Sequence, residues 1–222
     1  ENSIESVSKA INRGCHGIEI DIQTTLDNQI ILFHDDFIVS NNKKYFINQI
    51  SYQKIREICA INNAPQPNLF KELIPLIINN PNIVFNIEIK SRTPNNYKIL
   101  SYILNNLNQE ILHNQCIISS FNYFLLYQLR FLFLYRGPMA LILASEHLKG
   151  KLSLKIHKAI IMILNPGFIH MNINNTNQSF INWTHKKSKI INTYTVNSQS
   201  TLDKCIAWNV DGIFTDNHTL YQ

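Results

Sequence analysis

The chain has 222 residues, 45% of them hydrophobic and 16% charged, with a formal net charge of +5 and a pI near 9.0. That composition excludes a disordered polymer and suffices for the core of one large α/β domain over residues 1–222. Four widely spaced cysteines, Cys15, Cys59, Cys116 and Cys205, lack any CxxC or Cys/His ligand spacing, which excludes a zinc module or disulfide scaffold and predicts reduced thiols.

Ser3 to Arg13 carries Ile4, Val7, Ala10 and Ile11 at spacings of three and four and predicts a helix, with Gly14 as its C-cap. Gly17 to Gln23 and Gln29 to Asp35 predict two antiparallel strands with a two-residue turn at Asp27-Asn28, since both residues tolerate positive φ. On that register Asp21 lies opposite His34, and Glu19 and Asp21 share a face because strand side chains alternate. A one-residue slip puts His34 on the other face. Asp36 to Gln49 reads as loop, and Ser51 caps a short helix to Ile58. Leu69 to Ile78 is expected to be helical, kinked or cut short by Pro75.

Asn82 to Lys90 reads as a strand and Tyr97 to Leu112 as one amphipathic helix. Further strands are expected over Gln115–Ser120, Pro138–Ala144, Gly167–Ile173, Lys189–Asn197 and Asp211–Asp216. Helices are expected over Tyr123–Leu134, deeply packed, within Ser145–Ile163, over Ser179–Lys186, and over Ser200–Asn209 with Ser200 as cap. Strands alternating with helices over more than six units, without a glycine-rich phosphate loop, predict an α/β fold of the TIM (β/α)8 barrel type. Barrel enzymes carry their chemistry at the carboxyl ends of strands, where this chain has Glu88 and Lys90, Ser119 and Ser120, Thr195 and Asn197, Thr215 and Asp216.

No apolar run reaches the roughly 18 residues of a membrane span, and no signal peptide is visible. An integral membrane segment is therefore not expected, and the expected location is cytoplasmic. Basic residues are scattered, the densest clusters being Lys43-Lys44 and His185-Lys186-Lys187. A mild positive field of this kind suits an anionic small substrate and predicts no nucleic-acid surface. No sequence feature fixes an oligomeric state.

Charged residues on apolar strands are costly unless paired or bound to something. Glu88 and Lys90 share a strand face and could form a plain ion pair. Taken with Glu19 and Asp21, they suit a hard divalent cation with oxygen ligands and a counter-charge for an anionic group. His34, at a strand end before two aspartates, reads either as a packed histidine or as an acid/base group. His16, His113, His147, His157, His170, His185 and His218 read as surface or packing residues. No G-x-S-x-G and no Walker loop occurs.

Gly14-Cys15-His16-Gly17-Ile18-Glu19-Ile20-Asp21-Ile22-Gln23, the His34-Asp35 ending, Asn86-Ile87-Glu88-Ile89-Lys90, Ser119-Ser120-Phe121, Tyr194-Thr195-Val196-Asn197 and Asp211-Gly212-Ile213-Phe214-Thr215-Asp216 follow one another in a known order and spacing. In these motifs the whole chain resembles the glycerophosphodiester phosphodiesterases. That resemblance implies a TIM barrel and hydrolysis of glycerophosphodiesters to glycerol 3-phosphate and an alcohol, with Mg²⁺ or Ca²⁺ as cofactor. It implies that Glu19, Asp21 and Glu88 hold the metal, that His34 is one of two catalytic histidines, and that Lys90 faces the phosphate. Glu1 and Asn2 match the end of the family's Pro-Glu-Asn motif and are expected to support the metal residues.

The same resemblance implies a first strand ending His-Arg-Gly that precedes Glu1, carrying a second histidine and a phosphate-binding arginine, so the domain is expected to be incomplete at its N-terminus, with activity expected of the parent protein rather than of residues 1–222 alone. Ser188 stands where the family often has glycine, and Asp36 to Gln49 lacks the common Thr-Asn-Gly pattern. Two other readings remain open from sequence. One is a non-catalytic family member that binds phosphodiesters or a partner. The other is a related barrel of the phospholipase C or sphingomyelinase D type.

Overall fold

The structure, a computed structural model, describes residues 1–90, 96–144 and 151–221. The chain divides into two compact units, Glu1–Ile118 and Ser119–Gln222. The first begins with α1 (Ile4–Asn12), β1 (Gly17–Thr24) and β2 (Ile30–Leu32). A separate hairpin of β3 (Phe37–Ser40) and β4 (Lys43–Phe46) follows, then α2 (Tyr52–Ile61), α3 (Phe70–Asn79) and β5 (Val84–Ile89). Helices α4 (Asn96–Asn106) and α5 (Gln109–Asn114) lead to β6 (Cys116–Ser120), which runs on into the second unit.

Strands order as β6-β5-β1-β2. β1 and β5 run parallel, with Gly17 beside Val84 and Asp21 beside Glu88. The pleat sorts their residues onto two faces. Ile20, Ile22, Phe85, Ile87 and Ile89 alternate onto one face and are all fully buried. Each such side chain contributes about 1.5–3 kcal/mol on burial, and a one-residue slip would move the whole set to the wrong side. Glu19, Asp21, Gln23, Asn86 and Glu88 occupy the other face as a consequence.

The β1–β2 hairpin differs from the expected one. Thr25 N–H donates to the Gln29 carbonyl and Asn28 N–H to the Thr25 carbonyl, each at 3.0 Å, with Asn28 at φ 59°. This is a three-residue loop, Leu26 to Asn28. The Asp27 carboxylate is taken up elsewhere, accepting from the Thr25 hydroxyl at 2.5 Å and the Tyr52 N–H at 2.9 Å. The ladder therefore pairs Ile22 with Leu32, and Asp21 faces Phe33, whose N–H donates to the Asp21 carbonyl at 3.1 Å. His34 lies beyond the end of β2, where strand alternation no longer governs its direction.

Asp36 to Gln49 is not all loop. Asn41 and Asn42, at φ 49° and 59°, make the left-handed turn that joins β3 to β4, and Phe37 packs edge-on to Phe46 with ring centres 5.8 Å apart. α2 runs past Ile58 to Ile61, with Ser51 accepting from Lys54 N–H as its cap. α3 continues through Pro75 to Asn79; packing of the fully buried Phe70, Leu73 and Ile77 outweighs the one backbone bond that proline forfeits. The single helix expected over Tyr97–Leu112 is two, because Asn108 leaves helical geometry and caps α5 through Ile111 N–H.

The second unit contains α6 (Tyr123–Tyr127), a π-helical turn at Gln128–Leu132, β7 (Met139–Leu143), α7 (Lys151–Leu164), β8 (Phe168–Asn172), α8 (Gln178–Lys186), β9 (Ile190–Tyr194), α9 (Gln199–Ala207) and β10 (Gly212–Ile213). β7, β8, β9 and β10 pair in parallel in that order. Ile173, Val196 and Cys205 form a core beneath Leu202, Trp208, Val210 and Ile213. The segment expected to be deeply packed is only half so: Leu125, Leu126 and Leu129 are buried, while Phe124, Leu132 and Leu134 are more than 60% exposed. Ser198, not Ser200, caps α9, since its hydroxyl accepts from Thr201 N–H. His147, in the Ser145–Ile163 segment ahead of its helix, lies outside the described residues.

All four cysteines are free thiols, and burial pushes the Cys116 thiol up to about 12. Among the described residues no helix is long and apolar enough to cross a membrane.

Four helices end in the same way. Gly14, Asn63, Ser188 and Asn209 adopt φ of 75°, 51°, 53° and 54° after α1, α2, α8 and α9. In each case the next N–H reaches a carbonyl five residues back: Cys15 to Ala10, Ala64 to Cys59, Lys189 to Thr184 and Val210 to Cys205. This is the Schellman closure, in which glycine is favoured because a Cβ is strained there. Seven of the nine described non-glycine residues at positive φ are asparagine, so the chain's many asparagines supply left-handed turns in place of glycine. Ser188 has no such tolerance. Ser188→Gly is expected to stabilise the protein by about 1 kcal/mol, read as a higher urea midpoint at unchanged slope. An unchanged or lower midpoint would show that the serine is unstrained.

Candidate functional site

The register of β1 on β5 builds the site. Asp21 and Glu88 are direct neighbours on adjacent strands, and Glu19 stands two residues before Asp21 on the same face. One carboxylate oxygen from each lies within 4.8 Å of the others. Lys90, just past the end of β5, extends its ammonium to Asp21 Oδ1 at 3.1 Å and to Glu88 Oε1 at 3.2 Å. The second contact is an ion pair without hydrogen-bond alignment, so among the described residues the buried Glu88 Oε1 has no hydrogen-bond partner.

Three carboxylates against one ammonium leave an excess of negative charge in a largely desolvated place. Desolvation, then the neighbouring charges of Asp21 and Glu88, raise the Glu19 carboxyl well above its ordinary range, and Glu1 adds to the push. The Glu19 side chain is nonetheless solvent-exposed in area, so its carboxylate is crowded by protein and still reachable from water. Burial likewise raises Glu88, against the lowering pull of Lys90 and of His34. Burial alone would lower Lys90; Glu88 and Asp21 outweigh it and raise the ammonium above its usual value.

Asn2 supports Asp21 from outside the sheet. Its side-chain amide donates to Asp21 Oδ2 at 2.9 Å, and its Oδ1 accepts from the Asp21 N–H at 2.8 Å. Asn2 itself is in the left-handed region, at φ 49°. α1 anchors that approach, with Ser3 as N-cap and Ile4 N–H donating to Asn68 Oδ1 at 3.0 Å. Glu1 is exposed at the edge of the cluster.

His34 is exposed and pairs through Nδ1 with Asp35 Oδ1 at 2.7 Å. A carboxylate only accepts, so the proton of this bond is assigned to Nδ1, which leaves Nε2 free to face the site. His34 acts on Glu88 electrostatically, so it belongs to the same neighbourhood although it does not face Asp21 in the ladder. His16 sits exposed just before β1, five positions ahead of Asp21. His170 is fully buried on β8, within 3.2 Å of Asn192 Nδ2 and edge-on to Phe214, and burial pulls its imidazole down to about 3. It is a neutral packing residue, as expected.

Two polar residues on this face went unremarked in the sequence. Gln23 is 4% exposed and Asn86 5%, and the Asn86 Oδ1 has no hydrogen-bond partner among the described residues. The signal that identifies them is the alternation itself: Glu19-Asp21-Gln23 and Asn86-Glu88-Lys90 are period-two rows on paired strands.

A carboxyl raised by folding favours the protonated folded state. Its contribution to stability is present below the ordinary 4.5 and is lost as pH climbs through the raised value. In chelator, Glu19→Gln is therefore expected to melt at a higher temperature than the unaltered protein at about pH 7.5, with the gap closing at about pH 4. Equal melting temperatures at both pH values would contradict the crowding of Glu19.

The model of the glycerophosphoryl diester phosphodiesterase family matches residues 1–220. A glycerophosphodiester phosphodiesterase of Bacillus altitudinis is 23% identical over 237 aligned positions, covering 97% of this chain and 89% of that protein. Among solved structures, an Oleispira antarctica phosphodiesterase in complex with the product sn-glycerol-3-phosphate superposes with a TM-score of 0.79 at 18% identity, covering 97% of this chain and 87% of that one. A glycerophosphodiester phosphodiesterase of Thermotoga maritima superposes at 0.73 and 18% identity, covering 100% and 90%. These likenesses show the fold to be the TIM-barrel type of the phosphodiesterases. With its family model matched from Glu1 to residue 220, the chain belongs to the glycerophosphoryl diester phosphodiesterase family.

Proposed function

We propose that the protein to which residues 1–222 belong, as a single glycerophosphodiester phosphodiesterase domain, hydrolyses small glycerophosphodiesters derived from phospholipids to glycerol 3-phosphate and an alcohol, using Mg²⁺ or Ca²⁺. The observation that carries the reading is the trio of carboxylate oxygens within 4.8 Å beside the Lys90 ammonium. Family membership supports the reaction class, and the product-bound Oleispira phosphodiesterase supports a substrate of that size. Four free thiols suit a reducing compartment such as the cytoplasm.

The donor set fits a hard divalent cation. Every candidate ligand is a carboxylate oxygen, and the negative charge that adds to burial in raising Glu19 is the charge a cation would neutralise. Glu19, Asp21 and Glu88 would hold it. When bound, such an ion polarises phosphoryl oxygens and lowers the pKa of a hydroxyl or water beside it. The chain's own groups do the rest. Asn2 fixes the Asp21 carboxylate through two hydrogen bonds. Lys90 brings positive charge to the site face, where it stabilises the charge that develops on the phosphoryl group. His34, oriented through Asp35, offers Nε2 to take or return the proton of the attacking or leaving oxygen.

The reaction is read as glycerol 3-phosphate released from glycerophosphocholine. The full protein is expected to release it with Mg²⁺ or Ca²⁺ and to fall silent in chelator, and its Glu19→Ala variant is expected to be silent throughout. His34→Ala should lower kcat by about 10²–10⁴. Release that survives chelation, or equal rates in Glu19→Ala and the unaltered full protein, would contradict the assignment.

A further inference from the structure

Gln23 closes the polar row of β1, and its side chain does something the carboxylates do not. Its amide nitrogen Nε2 donates to the Phe33 carbonyl at 2.9 Å and to the Asp35 carbonyl at 2.9 Å. Those two carbonyls flank His34 in the chain. The amide has two N–H groups and spends both on them. The first of the flanking residues is tied a second time, by Phe33 N–H to the Asp21 carbonyl. His34 itself is exposed and has left the strand ladder, so no pleat fixes its backbone.

We propose that Gln23 is the positioning residue for His34: a buried side-chain clamp that holds the Phe33–Asp35 backbone and so aims the imidazole at the phosphodiester. The inference rests on the catalytic reading of His34 given above. Gln23 touches neither the reacting atoms nor the imidazole and acts only through the main chain on either side of it. The chemistry of the clamp is specific. Methionine matches glutamine in length but has no donor. Asparagine keeps both N–H groups on a stem one methylene too short to reach both carbonyls. A loosened reacting group misplaced by about 1 Å costs up to roughly a hundredfold in rate.

The test combines a double-mutant cycle with backbone dynamics. Gln23→Met, His34→Ala and the double variant are assayed on glycerophosphocholine with Mg²⁺, and ¹⁵N order parameters are measured for the folded proteins. Gln23→Met is expected to lower kcat about tenfold to a hundredfold with KM changed less than about twofold. In the His34→Ala background it should cost nothing further, because a residue acting through His34 has nothing left to aim. The order parameter of the His34 amide should drop below about 0.6 while those of Glu19 and Asp21 stay near 0.85. Gln23→Asn should show the same pattern, weaker, and serves if Gln23→Met does not fold. Losses that multiply in the double variant overturn the proposal, as does an unchanged His34 order parameter. If the unaltered full protein hydrolyses no glycerophosphodiester, the functional reading falls; the clamp then stands or falls on the order parameter alone.

Discussion

Electrostatic repulsion among Glu19, Asp21 and Glu88 is the constraint that the first unit is built to withstand. Nothing in the local preference of a strand brings three carboxylates to one place. They are held there by the opposite face of the same two strands, where Ile20, Ile22, Phe85, Ile87 and Ile89 lock the register by complete burial. Hydrophobic burial on one side of the β1–β5 pair thus opposes a charge cluster on the other. Lys90 offsets part of the excess within the protein, and a divalent cation would offset the rest.

Around that cluster the supporting contacts come from short, local devices. A left-handed asparagine at the entry to α1 turns its side chain onto Asp21, and a buried glutamine at the end of the same row holds the segment that carries His34. Both are amides, which donate and accept without adding charge to a site already overloaded with it. The pattern extends to the helix ends, where Asn63 and Asn209 take left-handed positions that many proteins give to glycine.

Much of this was legible in the sequence. Period-two alternation put Glu19 with Asp21 and Glu88 with Lys90 on shared faces, and the order of the motifs pointed to the family and its barrel. What failed was local. The hairpin register was one residue off because Asp27 is drawn to Thr25 and to Tyr52, a partner twenty-five residues away that no turn rule reports. Pro75 failed to end its helix because tertiary packing overrode propensity. The deep packing expected of Phe124 and Leu134 failed because apolar composition does not say which side of a helix the core occupies. Gln23 is illegible for a different reason: its partners are the Phe33 and Asp35 carbonyls, backbone acceptors that only the folded chain brings to it.

Three carboxylate oxygens within 4.8 Å on β1 and β5 could hold a divalent cation. Calorimetric titration of Ca²⁺ into the chelator-treated protein tests it directly, because it needs no substrate and no turnover. One site per chain is expected, with affinity reduced at least tenfold in Asp21→Asn and in Glu88→Gln alike. Undiminished binding in those variants, or no binding in the unaltered chain, would contradict the account.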